Sequence, residues 1–135
     1  MTAVDIALLR LQTEEGFRAK VYKDTNGIET IGFGFNIQAG ISKFAAAALL
    51  AAQVREANDV LLKLPWYAAL NPVRQSVCLD IDINEGEGGL LGFPSMIHYL
   101  SIGDWDNAAA QCHVADPRLA SRYAALAQLL LTGVS

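Results

Sequence analysis

The sequence predicts an α+β fold in a single domain of residues 1–135: a leading helix, a small hairpin sheet over about 19–37, and a mainly helical lobe over about 42–133. Three observations carry this. Residues 4 to 15 place Val4, Leu8, Leu11 and Glu15 at helical spacing. Val21 to Ile37 changes character, being rich in Gly, Thr, Ile and Phe, and it holds Asn26-Gly27 between apolar runs. Such a pair is a strong hairpin signal, because both residue types tolerate positive φ. Beyond Ser42, capping residues recur ahead of apolar, helix-forming stretches.

Each element follows from local chemistry. Gly16 is a natural stop for the first helix. Ser42 is an N-cap candidate for an Ala-rich helix to about Lys63, with Pro65 stopping it. Asn71-Pro72 reads as N-cap plus first-turn proline for a helix to about Asn84. Within it, Asp80-Ile81-Asp82-Ile83 alternates in a way that also suits a strand. Gly86 to Gly92 is a turn or loop, and lacks the Lys-Ser/Thr ending of a phosphate loop. Pro94 opens a short helix to Ser101, Asp104 caps another, and Asp116-Pro117 caps the last, which ends near Thr132-Gly133. A sheet beside helices leaves room for a cleft.

Composition excludes several classes. With 53% hydrophobic residues and 135 in all, the chain can bury a core of its own. The net charge is -4 and no Lys/Arg run occurs, which argues against a nucleic-acid partner. Cys78 and Cys112 are too few for a disulfide framework and read as small buried thiols. His98 and His113 are isolated, with no third ligand at metal spacing, so no metal or cofactor is expected. Asp5, Arg10 and Gln12 interrupt the N-terminal apolar residues, so neither a secretory signal nor a stable membrane insertion is expected.

Two acids stand where a change of element falls between them. Glu15 closes the first helix, and Asp24 lies nine residues on, just before the hairpin turn. Carboxylates on different elements can face one another across a cleft, as glycoside hydrolysis requires. One protonates the departing oxygen, and the other handles water or the forming cation. Thr30, after the turn, offers a hydroxyl to the same water.

The run Glu15-Gly16, Tyr22-Lys23-Asp24, Gly27 and Thr30-Ile31-Gly32-Phe33-Gly34 resembles the phage lysozyme (endolysin) family of glycoside hydrolases. Asn84-x-Gly86, Gly92-Phe93, Gly103-Asp104-Trp105 and Thr132-Gly133 look like later landmarks of that family. The resemblance implies a lysozyme-like fold and a muramidase cleaving the N-acetylmuramic acid–N-acetylglucosamine bond with inversion. It assigns Glu15 as general acid, Asp24 as the carboxylate orienting water, and Thr30 as its helper. The same register leaves Glu14 aside. Arg122 resembles an arginine that pairs with the catalytic Glu, and otherwise is a surface helix arginine. Asn36, Ile83, Phe93 and Ser95 are candidate substrate contacts. Phe33, Phe35 and Phe93 could stack on sugars or belong to the core.

The chain departs from the family pattern in three places. Phe35 stands where many members carry His; the stretch from Trp105 to Arg122 is short, with Cys112-His113 where a Trp is common; and Asp80 and Asp82 enter a nearly apolar helix, either partly buried or facing solvent. The expected partner is the glycan strand of peptidoglycan. The expected setting is a monomeric phage or prophage endolysin, made in the host bacterial cytoplasm and released to the wall through a holin lesion. The alternative is a weak or inactive lysozyme-fold module that binds glycan or a protein.

Overall fold

The computed structural model describes residues 1–86 and 88–135. By internal contacts the chain forms two compact units, Met1–Ala48 and Leu49–Ser135.

The first unit opens with helix α1, Ala3–Glu15. Thr2 caps it: its hydroxyl accepts from the Asp5 N–H, while the Asp5 carboxylate accepts from the Thr2 N–H at 2.7 Å. This reciprocal pair satisfies orphan donors of the first turn. Gly16, at φ 67°, ends the helix and donates to Gln12 O. The amphipathic spacing suggested a buried stripe, yet no residue of α1 is buried. Ile6 and Leu9 fall off the 4–8–11–15 row, and three short strands offer too little surface to cover apolar groups on several sides.

Those strands are β1 (Arg18–Lys23), β2 (Glu29–Gly32) and β3 (Phe35–Asn36), an antiparallel sheet in the order β1-β2-β3. The register pairs Tyr22 with Thr30 and Lys23 with Glu29, and an irregularity separates these from the Arg18–Gly32 pair. The first hairpin is where predicted, but its turn chemistry differs. Only Gly27 has positive φ; Asn26 does not. The loop is closed by the Asp24 side chain, whose Oδ1 accepts from the N–H groups of Asn26 and Ile28. An aspartate can mimic a backbone turn in this way.

Helix α2 (Lys43–Leu61) begins in the first unit and ends in the second, and Ser42 Oγ accepts from Ala45 N–H as its cap. Pro65 does not stop α2, which has already ended at Leu61; it opens a four-residue helix, α3 (Pro65–Ala68), using its preset φ. Then come α4 (Pro72–Glu85), α5 (Pro94–Ser101), α6 (Trp105–Ala110) and α7 (Ala120–Thr132). Asn71 and Asp104 cap α4 and α6 as read from the sequence. Asp116 caps a short 3₁₀ turn, Pro117–Leu119, that leads into α7 rather than α7 itself. The Gly-rich run between α4 and α5 contains a 3₁₀ turn at Gly89–Gly92, and Glu87 lies outside the described residues.

The Asp80–Ile83 stretch is helical, and its alternation reflects two kinds of buried neighbour. Val77, Cys78 and Ile81 enter the core with Met96 and Leu100 of α5 and Tyr123, Leu126 and Leu130 of α7. Asp82 is also buried, and its Oδ1 accepts from Leu90 N–H at 3.2 Å, holding the 3₁₀ turn onto α4. Arg74 is buried beside them. Its Nε donates to Leu130 O and its Nη2 to Leu131 O, while the guanidinium lies 3.7 Å from the Trp105 ring centre. It thus satisfies carbonyls that the end of α7 leaves without helical partners. Both cysteines are buried free thiols.

Candidate active site

The three predicted catalytic residues all belong to the first unit, held by the hairpin frame. Glu15 is the last residue of α1, immediately before the chain turns at Gly16. Its carboxyl lies over the bend between β2 and β3. A Cβ built on Gly34 would sit 2.7 Å from Glu15 Oε2 and 3.1 Å from its carboxyl carbon. Gly34 therefore provides a seat that any side chain would fill.

Asp24 closes the other end of the β1–β2 hairpin. The two N–H donors, Asn26 at 2.8 Å and Ile28 at 2.9 Å, both go to Oδ1. Among the described residues Oδ2 takes no protein hydrogen bond, so one oxygen fixes the side chain and the other stays available. Thr30, 4% exposed, is the buried residue of this unit. Its Oγ1 donates to Ile28 O at 2.9 Å. The hydroxyl proton is thereby committed, and what Thr30 can still offer is a lone pair. Ile28 links the two residues, since its N–H binds Asp24 and its carbonyl binds Thr30. Asn36, paired with Thr30 across β2 and β3, has its side chain turned to cap the short helical turn Ile37–Ala39 by accepting from Ala39 N–H. Phe33 and Phe35 are exposed, and Phe33 lies 5.5 Å from Phe17, ring centre to ring centre.

A model of the phage lysozyme family matches residues 12–118. The chain belongs to the phage lysozyme family. It is accordingly a glycoside hydrolase of the lysozyme type, and peptidoglycan is the substrate that membership implies. The matched span takes in Glu15, Asp24 and Thr30 and most of the helical lobe.

The helical unit of this phage lysozyme holds the other sequence-chosen residues. Phe93 and Ser95 line a cavity of about 450 Å³ with Glu85, Met96, Gln111 and His113. Phe93 is half-buried and stacks on Tyr123 at 6.2 Å. Ile83, on α4, is half-buried and does not line that cavity. Arg122 is committed to α4. Its Nε and Nη2 donate to Asp80 Oδ1, the latter at 2.6 Å, and its Nη1 to Asn84 Oδ1 at 2.8 Å. Asp80 is thus half-buried and paired.

This ion pair continues into a network that the sequence reading missed. Asn84 Nδ2 donates to Tyr123 OH at 3.0 Å, and Tyr123 OH donates to Glu85 Oε1 at 2.5 Å. Burial, and then the bond to Glu85, push the Tyr123 phenol up to about 12. The available signal was spacing: Asp80 and Asn84 stand four apart on one helix face, and so point to a common partner. Among the described residues no three His, Cys, Asp or Glu side chains gather as a metal site, and no helix is long and apolar enough to cross a membrane.

Proposed function

We propose that this lysozyme is a muramidase that cleaves the N-acetylmuramic acid–N-acetylglucosamine bond with inversion, Glu15 serving as acid and Asp24 as the water-orienting carboxylate. The observation that carries the reading is the asymmetry of Asp24. Two backbone N–H groups hold Oδ1, leaving Oδ2 to accept a proton from water. Thr30 Oγ1, its own proton given to Ile28 O, can accept from the same water. In this mechanism Glu15 gives its proton to the glycosidic oxygen as the bond to the anomeric carbon breaks. Water attacks the opposite face, loses a proton to Asp24, and becomes the anomeric hydroxyl. An inverting pair needs roughly 6.5–9.5 Å between carboxyls, to leave room for that water.

The cavity bearing Phe93 and Ser95 supports a place for the glycan strand on the helical unit. The proposed setting is a monomeric phage or prophage endolysin, made in the host cytoplasm and released by a holin.

The test is hydrolysis of purified peptidoglycan, with products identified by mass and the first-formed anomer read by proton NMR. Glu15→Gln should lose at least about 10²–10⁴-fold in rate, the usual worth of a general acid. Asp24→Asn should be comparably damaging and Glu14→Gln should not. Retention of configuration, or damage from Glu14→Gln instead of Glu15→Gln, would reject the assignment.

A further inference from the structure

The cavity on the helical unit has a charge that the catalytic scheme does not use. Of the described residues lining it, Glu85 is the one carboxylate, and neither Lys nor Arg is present. His113 is the other titratable side chain there. Glu85 is also held in place. Its Oε1 accepts from Tyr123 OH and from Asn84 Nδ2, and Asn84 is itself bound by Arg122. Its Oε2 takes no hydrogen bond among the described residues. Gly89 adds to this: a Cβ there would fall on the Cβ of Glu85, so the glycine lets the 3₁₀ turn close against the acid. Phe93, stacked on Tyr123, adds an aromatic ring to the lining of the same cavity, and Ser95 and Gln111 supply neutral acceptors.

A fixed carboxylate with one free oxygen, an aromatic face and uncharged acceptors is the chemistry of an ammonium receptor. We propose that Glu85 makes this cavity selective for a primary ammonium group on the glycan strand. The inference rests on the reading that the strand occupies the cavity. Two sources supply such a group: a de-N-acetylated glucosamine, or the side-chain amine of a dibasic residue in the stem peptide. The net charge of -4 fits this selectivity, since an acidic chain gains by meeting positive charge on an otherwise anionic polymer.

Binding is measured by calorimetry with two pairs of probes. One is the glucosamine trimer against its fully N-acetylated form, at a pH where the amine is protonated. The other is a disaccharide tripeptide with stem lysine, its side-chain amine free or acetylated. The amine form of one pair should bind on the order of threefold to tenfold more tightly, as expected for a partly exposed ion pair assisted by an aromatic ring. The pair that shows it names the source. Added salt should shrink the ratio. In Glu85→Gln the side chain keeps an oxygen for Tyr123 and Asn84, so the fold is retained, and the ratio should fall to about one. Ratios near one in both wild-type arms, or an undiminished ratio in E85Q, would overturn the proposal. Hydrolysis of the same wall preparation is scored separately. Cleavage without amine preference rejects this inference alone, and amine preference without cleavage rejects the muramidase reading alone.

Discussion

Gly34 offers a direct test of how the acid is positioned, because a near-identical control lies two residues away. Gly34 has φ 78° and Gly32 φ 68°, so alanine at either meets positive-φ strain, about 1–3 kcal/mol. They differ in what the new methyl touches. At Gly32 nothing lies within 4 Å, whereas at Gly34 the Cβ would sit 2.7 Å from Glu15 Oε2. Ordinary contact begins near 3.4 Å, so the carboxyl oxygen must retreat by roughly 0.7 Å. Glu15 is exposed and its end is flexible, so that retreat adds little to the stability loss. It does move the proposed proton donor. A misplacement near 1 Å can cost about 10²-fold in rate, so Gly34→Ala should lower kcat on the order of 10- to 100-fold. Gly32→Ala should unfold at nearly the same temperature as Gly34→Ala, yet keep its turnover within about threefold of wild type. The measurements are thermal unfolding and initial rates of peptidoglycan solubilisation. Equal rate losses in the two variants, or a Gly34→Ala enzyme of normal kcat, would refute the seat.

Other consequences concern the helical unit. Gly133→Ala should be strongly destabilising, with Tm falling on the order of 10 °C: besides strain at φ 66°, its Cβ would meet buried Arg74 at 2.7 Å and Asn71 at 2.9 Å. A calorimetric scan within about 2 °C of wild type would contradict it. Arg122→Met should cost at most about 1 kcal/mol, since both members of its pair with Asp80 are partly exposed, and should slow hydrolysis less than about threefold. A hundredfold loss would instead tie Arg122 to the acid. Cys78 and Cys112 should resist iodoacetamide in the native protein. Burial first, then the neighbouring Cys112 and Asp80 respectively, push the thiols up to about 12 and about 11. Raised values favour the thiol, so at pH 8 the thiolate is about one in a thousand or less. Alkylation should appear only with denaturant, and rapid modification in buffer alone would disprove the burial.

Much of the fold was legible because its punctuation is local. Asn71-Pro72, Pro94, Asp104 and Gly133 mark helix ends through their own backbone chemistry, and each does so here. The errors arose where a signal had two meanings. Pro65 both ends and begins helices, and it begins one. Asp116 caps whatever helical turn follows it, and a 3₁₀ turn intervenes before α7. Asn26-Gly27 marked the hairpin, but the decisive group was Asp24, whose carboxylate substitutes for the second positive-φ residue. Alternation in Asp80–Ile83 suits a strand as well as a helix; the helix read to about Asn84 forms, and of the two options for Asp82 the buried one holds, its carboxylate facing a backbone N–H of the loop.

The candidate site was legible to the same degree and for the same reason. Glu15, Asp24 and Thr30 lie within sixteen residues, and their surroundings are built from hairpin and helix-end chemistry that short sequence patterns encode. Partners from distant segments were not legible. The sequence marked Arg122 and Asp80 separately, but 42 residues divide them, and only the packing of α7 on α4 brings them together. Tyr123 and Glu85 are hidden in the same way, one turn further along. The consequence bears on function. The residues proposed to cleave the bond are local, and a resemblance in a short run points to them. Residues that distinguish one wall chemistry from another are assembled by tertiary packing. Glu85 belongs to the second kind, since its charge acts on a ligand only because Tyr123 and Asn84 fix one oxygen and leave the other free.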